Sequence, residues 1–484
     1  MHRRQFLSSL AAAATVVGFN PASNTWVTEA AASSGPFSHV PALDGQLLTD
    51  TTARSARSTD AGNLVHKTPA AVLLPGSVDD IVKMVRFCNR YGIGVAARGQ
   101  AHTTFGQGLV DGGLIIDMST LSTIHSIGAD SAQVDAGVLW KDLTEQAFGH
   151  GSTPPVLTGF LGLSIGGTLS VGGISAGNVH GAQVDHVRDL TVVTGSGELV
   201  HCSERDNREL FEAVLAGLGQ CGIIVRATIE LVPVKPLARV FVLNYIDNAT
   251  FFSDLHLLLQ RGEFDYLFNI WVPDGSGGWV YQLNAVKFFD PASPPDNAHL
   301  LRGLHFDPAS DPPEDVPYLA FVTEVDAAIA FFQSIGLWSD VLHPWFDMFI
   351  PGRAIEHYVA DVLPTLTPED VGMTGFFLLF PLKRSQFRRP QLRLPHDEWI
   401  FLFDILTANS HPGPDPVFAE NMLKRNRLLF EKARALGGTR YPIGSIAFSK
   451  LDWLLHYGAR YFEFAEAKRR FDPSGILTPG VNIF

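Results

Sequence analysis

The 484-residue chain holds three cysteines, Cys88, Cys202 and Cys221, and no two of them form a Cys-x-x-Cys pair. That count is too low for a disulfide framework, and the spacing offers no cysteine zinc site. No metal is expected. Basic residues are also short: 36 Lys and Arg stand against 49 Asp and Glu, a net charge of −13. Nucleic acid is therefore not the expected partner, because its phosphates need clustered cations. Charged residues make up 18% and hydrophobic ones 46%, the balance of a folding chain and not of a disordered one. No repeat of solenoid period runs through it. The apolar stretch from Leu10 to Phe19 is too short to span a bilayer.

Just before that stretch stands Arg3-Arg4-Gln5-Phe6-Leu7. Paired arginines ahead of a mild apolar run read as a twin-arginine export signal. The competing reading is an ordinary secretory signal that carries two arginines. Small residues place cleavage between Ala22 and Ala32. Residues 1–32 are set apart from the fold. The mature protein is expected in the periplasm or outside the cell, without stable membrane insertion.

The remaining length predicts two or three domains. Ala70 to Leu74 reads as a buried strand, and Ser77 caps a helix whose apolar residues are Val78, Ile81, Val82, Val85 and Cys88. Gly92 to Ala97 reads as the next strand and runs into Arg98-Gly99-Gln100-Ala101-His102. Leu114 to Met118 and Gln133 to Val138 are further strands, the second leading into a helix at Trp140. Gly166 to Gly173 reads as a glycine-rich loop. Leu190 to His201 reads as a hairpin turning at Gly195-Ser196-Gly197-Glu198. A helix is expected over Asn207 to Leu218, and a strand over Ile223 to Val232. From Ala238 to about Arg440 the chain turns rich in Trp and Phe, with a long helix over Phe418 to Ala435. A last helix covers Trp453 to Lys468.

Neither glycine-rich segment has the Gly-x-Gly-x-x-Gly spacing of a dinucleotide-binding Rossmann unit. Glycine still lets backbone amides approach an anion closely, and tight turns are the plainer alternative. The order of several segments is more specific. Arg98-Gly99-Gln100-Ala101-His102-Thr103 follows a strand. Leu163-Ser164-Ile165-Gly166-Gly167-Thr168, Gly217-Leu218-Gly219-Gln220-Cys221-Gly222, His343-Pro344-Trp345-Phe346-Asp347 and Leu477-Thr478-Pro479-Gly480 come after it. Together they resemble the vanillyl-alcohol-oxidase (PCMH-type) FAD-binding superfamily, and within it the cytokinin dehydrogenases, over nearly the whole mature chain.

The resemblance implies a two-domain α+β protein: a PCMH-type FAD-binding domain at 53–236, a cytokinin-dehydrogenase-like substrate domain at 237–439, and a segment at 440–484 that returns to the first. It places FAD contacts on Ala97, Arg98, Gly99, Gln100, Ala101, Thr103, Gln107, Ser164, Ser170, Ile174, Ile224, Tyr441 and Thr478. It puts His102 where that family bonds a histidine to the flavin's 8α-methyl group. A neutral imidazole is a nucleophile suited to that bond; a loop histidine hydrogen-bonding a phosphate or the backbone is the alternative. The implied reaction is hydride transfer from a small organic donor, with oxygen or another compound as the final acceptor.

Thr103 stands for the family's usual Ser and Val481 for a frequent Gln, and two further positions depart from the pattern where catalysis is expected. The family's Asp before the second glycine loop, the acceptor of the substrate amine's proton, is Gly159 here. Where it commonly has Asn after Trp-x, this chain has Asp347, which reads either as a catalytic base or as a structural acid. Amine oxidation of cytokinin type, alcohol or sugar oxidation, and flavin binding without turnover therefore all remain open. Trp271, Trp345, Phe376 and Phe377 are candidates for an aromatic pocket or for core.

Overall fold

Alternating and helical spacings resolve into three sheets of four or more strands, beside two two-stranded pairs, Val16–Asn20 with Thr25–Thr28 and Ser152–Thr153 with Val232–Pro233. The computed structural model describes residues 37, 40–177 and 180–484, and the backbone alone at 16–20 and 25–28. Arg3, Arg4 and both ends of the cleavage interval, Ala22 and Ala32, lie outside the described residues.

The first sheet is built from β1 (Gln46–Leu48), β2 (Ala71–Leu74), β3 (Val95–Arg98) and β4 (Leu114–Asp117), in the order β1-β2-β4-β3. The last three run parallel, and β1 is antiparallel to β2. Helix α1 (Val78–Tyr91) links β2 to β3. Ser77 caps it by accepting from the Asp80 amide, and Gly92 ends it at φ 64°, a left-handed turn that glycine takes without strain. The following strand therefore starts at Val95, later than the sequence suggests.

The second sheet comprises β5 (Ile124–Ile127), β6 (Ser131–Asp135), β7 (Val187–Val193), β8 (Leu199–Ser203) and β9 (Ile223–Glu230). It is wholly antiparallel, in the order β8-β7-β9-β6-β5. Between β6 and β7 lie α2 (Trp140–Gly149) and the single turn α3 (Ile165–Leu169). The expected loop at Gly166 to Gly173 is thus helical in its first half, started by Ser164. Helix α4 (Arg208–Val214) is shorter than expected. Ala216, Leu218 and Gly219 all sit at positive φ, so the helix cannot continue through them.

The third sheet has eight strands: β10 (Leu237–Tyr245), β11 (Tyr266–Pro273), β12 (Trp279–Phe289), β13 (Glu314–Pro317), β14 (Phe346–Pro351), β15 (Phe376–Lys383), β16 (Trp399–Leu406) and β17 (Thr439–Arg440). Their order is β13-β10-β12-β11-β15-β16-β14-β17, with every pairing antiparallel. Side chains alternate between faces with period two. Phe241, Trp271, Leu283, Phe346, Phe377 and Phe403 face a core shared with α5 (Asn248–Arg261), α8 (Gly352–Val362) and α9 (Pro416–Ala435). The opposite face looks toward the first two sheets. Before β14, α6 (Tyr318–Val322) and α7 (Glu324–Ser334) cross its edge.

The helix expected over Trp453 to Lys468 is two, α10 (Lys450–Tyr457) and α11 (Arg460–Phe471), divided at Gly458. Beyond them the chain runs back beside β3: Leu477 bridges Val95 in parallel, and the Thr478 amide donates to the Val95 carbonyl at 2.7 Å. The turn is held by Asp472, which accepts from the amides of Ile476 and Leu477 and pairs with Lys468 at 2.7 Å. Cys88, Cys202 and Cys221 are free and buried, and burial pushes each thiol up to about 12. Among the described residues no helix is long and apolar enough to cross a membrane, and no cluster of His, Cys, Asp and Glu could hold a metal ion.

Candidate active site

A cavity of about 740 Å³ separates the loops of the first two sheets from the free face of the third. Every residue read from the sequence as an FAD contact lines it, as do His102 and Asp347.

Ala97 and Arg98 end β3, and the chain then leaves the sheet as an open loop from Gly99 to Gln107. Among the described residues the amides of Gln100, Ala101, His102 and Thr103 donate to no protein carbonyl. Ala101 takes φ 50°, a conformation rare outside glycine and asparagine. Below this loop stands Ser164, whose buried hydroxyl has no partner among the described residues. A Cβ on Gly99 would lie 2.0 Å from that oxygen, and one on Gly167 at 2.8 Å. A side chain at either place would displace the Ser164 hydroxyl. Ser170 and Ile174 follow α3, Ile224 comes from β9, and Thr478 closes the cradle from the C-terminal segment. Free amides, an orphan hydroxyl and close-packed glycines are the donor set a pyrophosphate-bearing cofactor needs, and FAD fits it.

Asp60 fixes the loop from behind, a role the sequence does not advertise. It accepts from the amides of Gly106 at 2.6 Å and Gly62 at 3.2 Å, and burial pushes its carboxyl up to about 7. Arg98 lies beside it; burial lowers the guanidinium pKa, while Asp117 and Asp60 oppose that shift. Gln107 crosses to the third sheet's side and donates to the carbonyl of Pro442 at 3.2 Å.

His102 is held by aromatic rings. Phe160 lies 5.1 Å from its ring centroid, Trp345 meets it edge-on at 5.4 Å, and Trp338 stacks at 6.2 Å. Burial, with a smaller contribution from His343, lowers its pKa to about 4, so the imidazole is neutral at pH 7. The ring is surrounded by protein yet only partly buried, because its open side is the cavity. His343 donates from Nε2 to the Trp338 carbonyl at 2.8 Å, which leaves Nδ1 bare and without a partner. Trp338 carries no sequence signal of its own; only the folded chain brings it to His102.

The third sheet supplies the other wall. Val240, Val242, Phe268, Ile270, Phe376 and Leu378 make it largely apolar, and Phe321, Val325 and Phe332 from α6 and α7 extend it. Trp345 and Phe376 line the cavity. Trp271 and Phe377 do not: strand alternation turns them to the helix side, where they are core. Gly159 also lines the cavity, and a Cβ there would find only Val325, at 3.9 Å, so the place of the missing acid is open. Asp326 on α7 accepts from the Leu161 amide at 3.0 Å and ties that helix to the Gly159 segment.

Asp347 projects from β14 onto the cavity face, fully buried. Directly opposite it on β16 is Asp404, a residue that sequence reasoning did not single out. Burial raises the pKa of both carboxyls, and the charge of Asp347 raises that of Asp404 further. Arg440 on β17 acts the other way on Asp347. Tyr441 follows it, its amide donating to the Asp347 carbonyl at 3.1 Å.

The family profile described as "FAD binding domain" matches residues 69–203, and that described as "Cytokinin dehydrogenase 1, FAD and cytokinin binding" matches 241–484. The protein named Uncharacterized oxidoreductase ORF5 in fasciation locus, from Rhodococcoides fascians, is 36% identical over 440 residues, covering 90% of this chain and 99% of its own. Cytokinin dehydrogenase 1 of Oryza sativa subsp. japonica is 31% identical over 505 residues, covering 94% of each chain. The Arabidopsis thaliana protein of the same name is 31% identical over 481 residues, covering 91% of this chain and 83% of its own. The chain belongs to the cytokinin dehydrogenase-like family of FAD-dependent oxidoreductases.

Proposed function

We propose that this oxidoreductase removes a hydride from an organic amine of the N6-substituted adenine type, using FAD bonded to His102. The carrying observation is that a neutral histidine and a buried, partnerless carboxyl line the same cavity. Bound FAD would accept the two electrons and pass them to oxygen or another acceptor. The protein's own residues do the rest. His102 is uncharged at pH 7 and so retains the lone pair that a bond to the flavin's 8α-carbon requires. Phe160, Trp338 and Trp345 limit its motion. The apolar strand face binds a flat, weakly polar donor and excludes water. Asp347 stands as proton acceptor where the open place at Gly159 offers none.

Gly159 favours a second reading, oxidation of an alcohol, because the family's usual amine-proton acceptor is absent; the scarcity of polar groups on the strand face argues against a sugar. Anaerobic mixing decides between them. Bleaching of the flavin by isopentenyladenine is expected, whereas bleaching by alcohols or sugars alone supports the second reading, and bleaching by no donor leaves a flavin-binding protein without turnover. Acid precipitation tests the bond: yellow colour should stay with the wild-type pellet and move to the supernatant in His102→Ala. Release from the wild type would refute the bond. We also propose export by the twin-arginine route, on Arg3 and Arg4; their replacement by lysine should keep the protein in the cytoplasm.

A further inference from the structure

We infer that Asp347 and Asp404 act as one unit, a carboxyl pair sharing a single proton, and that this pair binds the donor's nitrogen edge and accepts its proton. The inference rests on the amine reading above. The two residues are opposite partners on adjacent antiparallel strands, so both carboxyls leave the same face of the sheet. They are 0% and 3% exposed, and both line the cavity. Both oxygens of Asp347 and Oδ1 of Asp404 are buried without a protein partner.

That state is unlike the other buried acids of this chain. Asp80 accepts from the amides of Asp44, Gly45 and Gly76, and Asp472 from two amides and Lys468. Those acids are structural because the protein satisfies them. Among the described residues no third group satisfies the pair, although Arg440 stands nearby with its Nε unpartnered and its Nη2 spent on the Gly444 carbonyl. Gly444 contributes to the same closeness: a Cβ there would lie 2.1 Å from Asp347 Oδ2. Two carboxylates this close in an apolar setting do not both ionise, so the pair holds one proton between them.

A pair with one proton offers a donor and an acceptor side by side. Its complement is a secondary amine on a nitrogen heterocycle, where an N–H lies next to a ring nitrogen. In the reaction the donor's C–H bond breaks and its electron pair leaves as hydride to FAD, which is reduced by two electrons. The N–H electron pair becomes the second bond of a C=N group, and the N–H proton passes to the carboxylate of the pair. The pair is then neutral, and returns one proton to solvent when product leaves. The charged and titratable groups that bear on the pair are Arg440 and Tyr441.

The test uses the flavin-loaded full chain, isopentenyladenine as donor and stopped-flow bleaching under anaerobic conditions. Asp404→Asn should slow bleaching by about 100-fold or more while flavin content and visible spectrum stay unchanged. The wild-type rate should fall as pH drops and the pair takes up its second proton, and this acid limb should move in Asp404→Asn, because Asp347 then titrates without its partner. A variant rate within about threefold of wild type, with the acid limb unmoved, overturns the pair and leaves the amine reading standing. Should Asp404→Asn not fold, a wild-type rate independent of pH from 5 to 9 overturns it equally. Failure of isopentenyladenine to bleach the wild type overturns the amine reading, and the pair's role with it.

Discussion

The two walls of the cavity are made differently. On the side proposed for the cofactor the wall is largely backbone: amides from Gln100 to Thr103, a hydroxyl at Ser164, and glycines packed against that hydroxyl. On the side proposed for the donor it is side chains standing on a sheet, spaced by strand alternation and set by register. A backbone wall recognises what every FAD shares and tolerates little change. A side-chain wall can be re-lettered one position at a time without disturbing the sheet beneath. Asp347 is one such re-lettering relative to the family pattern, and it stands on β14 away from the glycine loops.

This contrast can be broken in graded ways. The largest effect is expected on the backbone wall. Gly99→Ala would put a Cβ 2.0 Å from Ser164 Oγ, and purified protein should carry at least about tenfold less flavin, measured by absorbance against protein. A normal flavin ratio would show that the loop yields and that the wall is less rigid than its packing implies.

The next effect falls on stability. Asp347 has a raised pKa in the folded chain, so it keeps its proton there and loses it on unfolding as pH rises above about 4. Its contribution is therefore fully present below the unfolded pKa and is lost as pH climbs through the raised folded value. Asp347→Asn removes that loss. The variant should be more stable than wild type at pH 8 by about 1–3 kcal/mol, with a smaller difference at pH 5, read from thermal melts. An equal difference at both pH values would mean that the carboxyl is not held in its protonated form.

The smallest effect belongs to the apolar part of the donor wall. Phe376→Ala should raise the donor KM by roughly three- to tenfold, the scale of one lost aromatic contact, and leave flavin content unchanged. A fall in flavin content would show that the two walls are not independent.

What could be read from the sequence follows the same division. The cradle was legible because its glycines, Ser164 and His102 lie in short contiguous segments whose order carries the resemblance. Asp347 was visible inside such a segment, but Asp404 was not. Nothing marks an Asp in Phe403-Asp404-Ile405 until the register of β14 against β16 sets it opposite Asp347. Parity along a strand likewise sent Trp271 and Phe377 into core while keeping Phe376 in the cavity. Asp60 was missed because it acts through the amides of Gly62 and Gly106, which no side-chain pattern reveals. The helix over Asn207 to Leu218 was overread because spacing does not show that Ala216 and Leu218 adopt left-handed backbone.

The bridge between Val95 and Leu477 joins the chain's first parallel sheet to its last few residues, and Thr478 lines the cavity from just beyond it. The cavity is therefore incomplete until Val95 and Leu477, 382 positions apart, have met, and such non-local contacts are slow to form. Flavin content should therefore report this closure: yellow protein would be chain in which the C-terminal segment has reached β3.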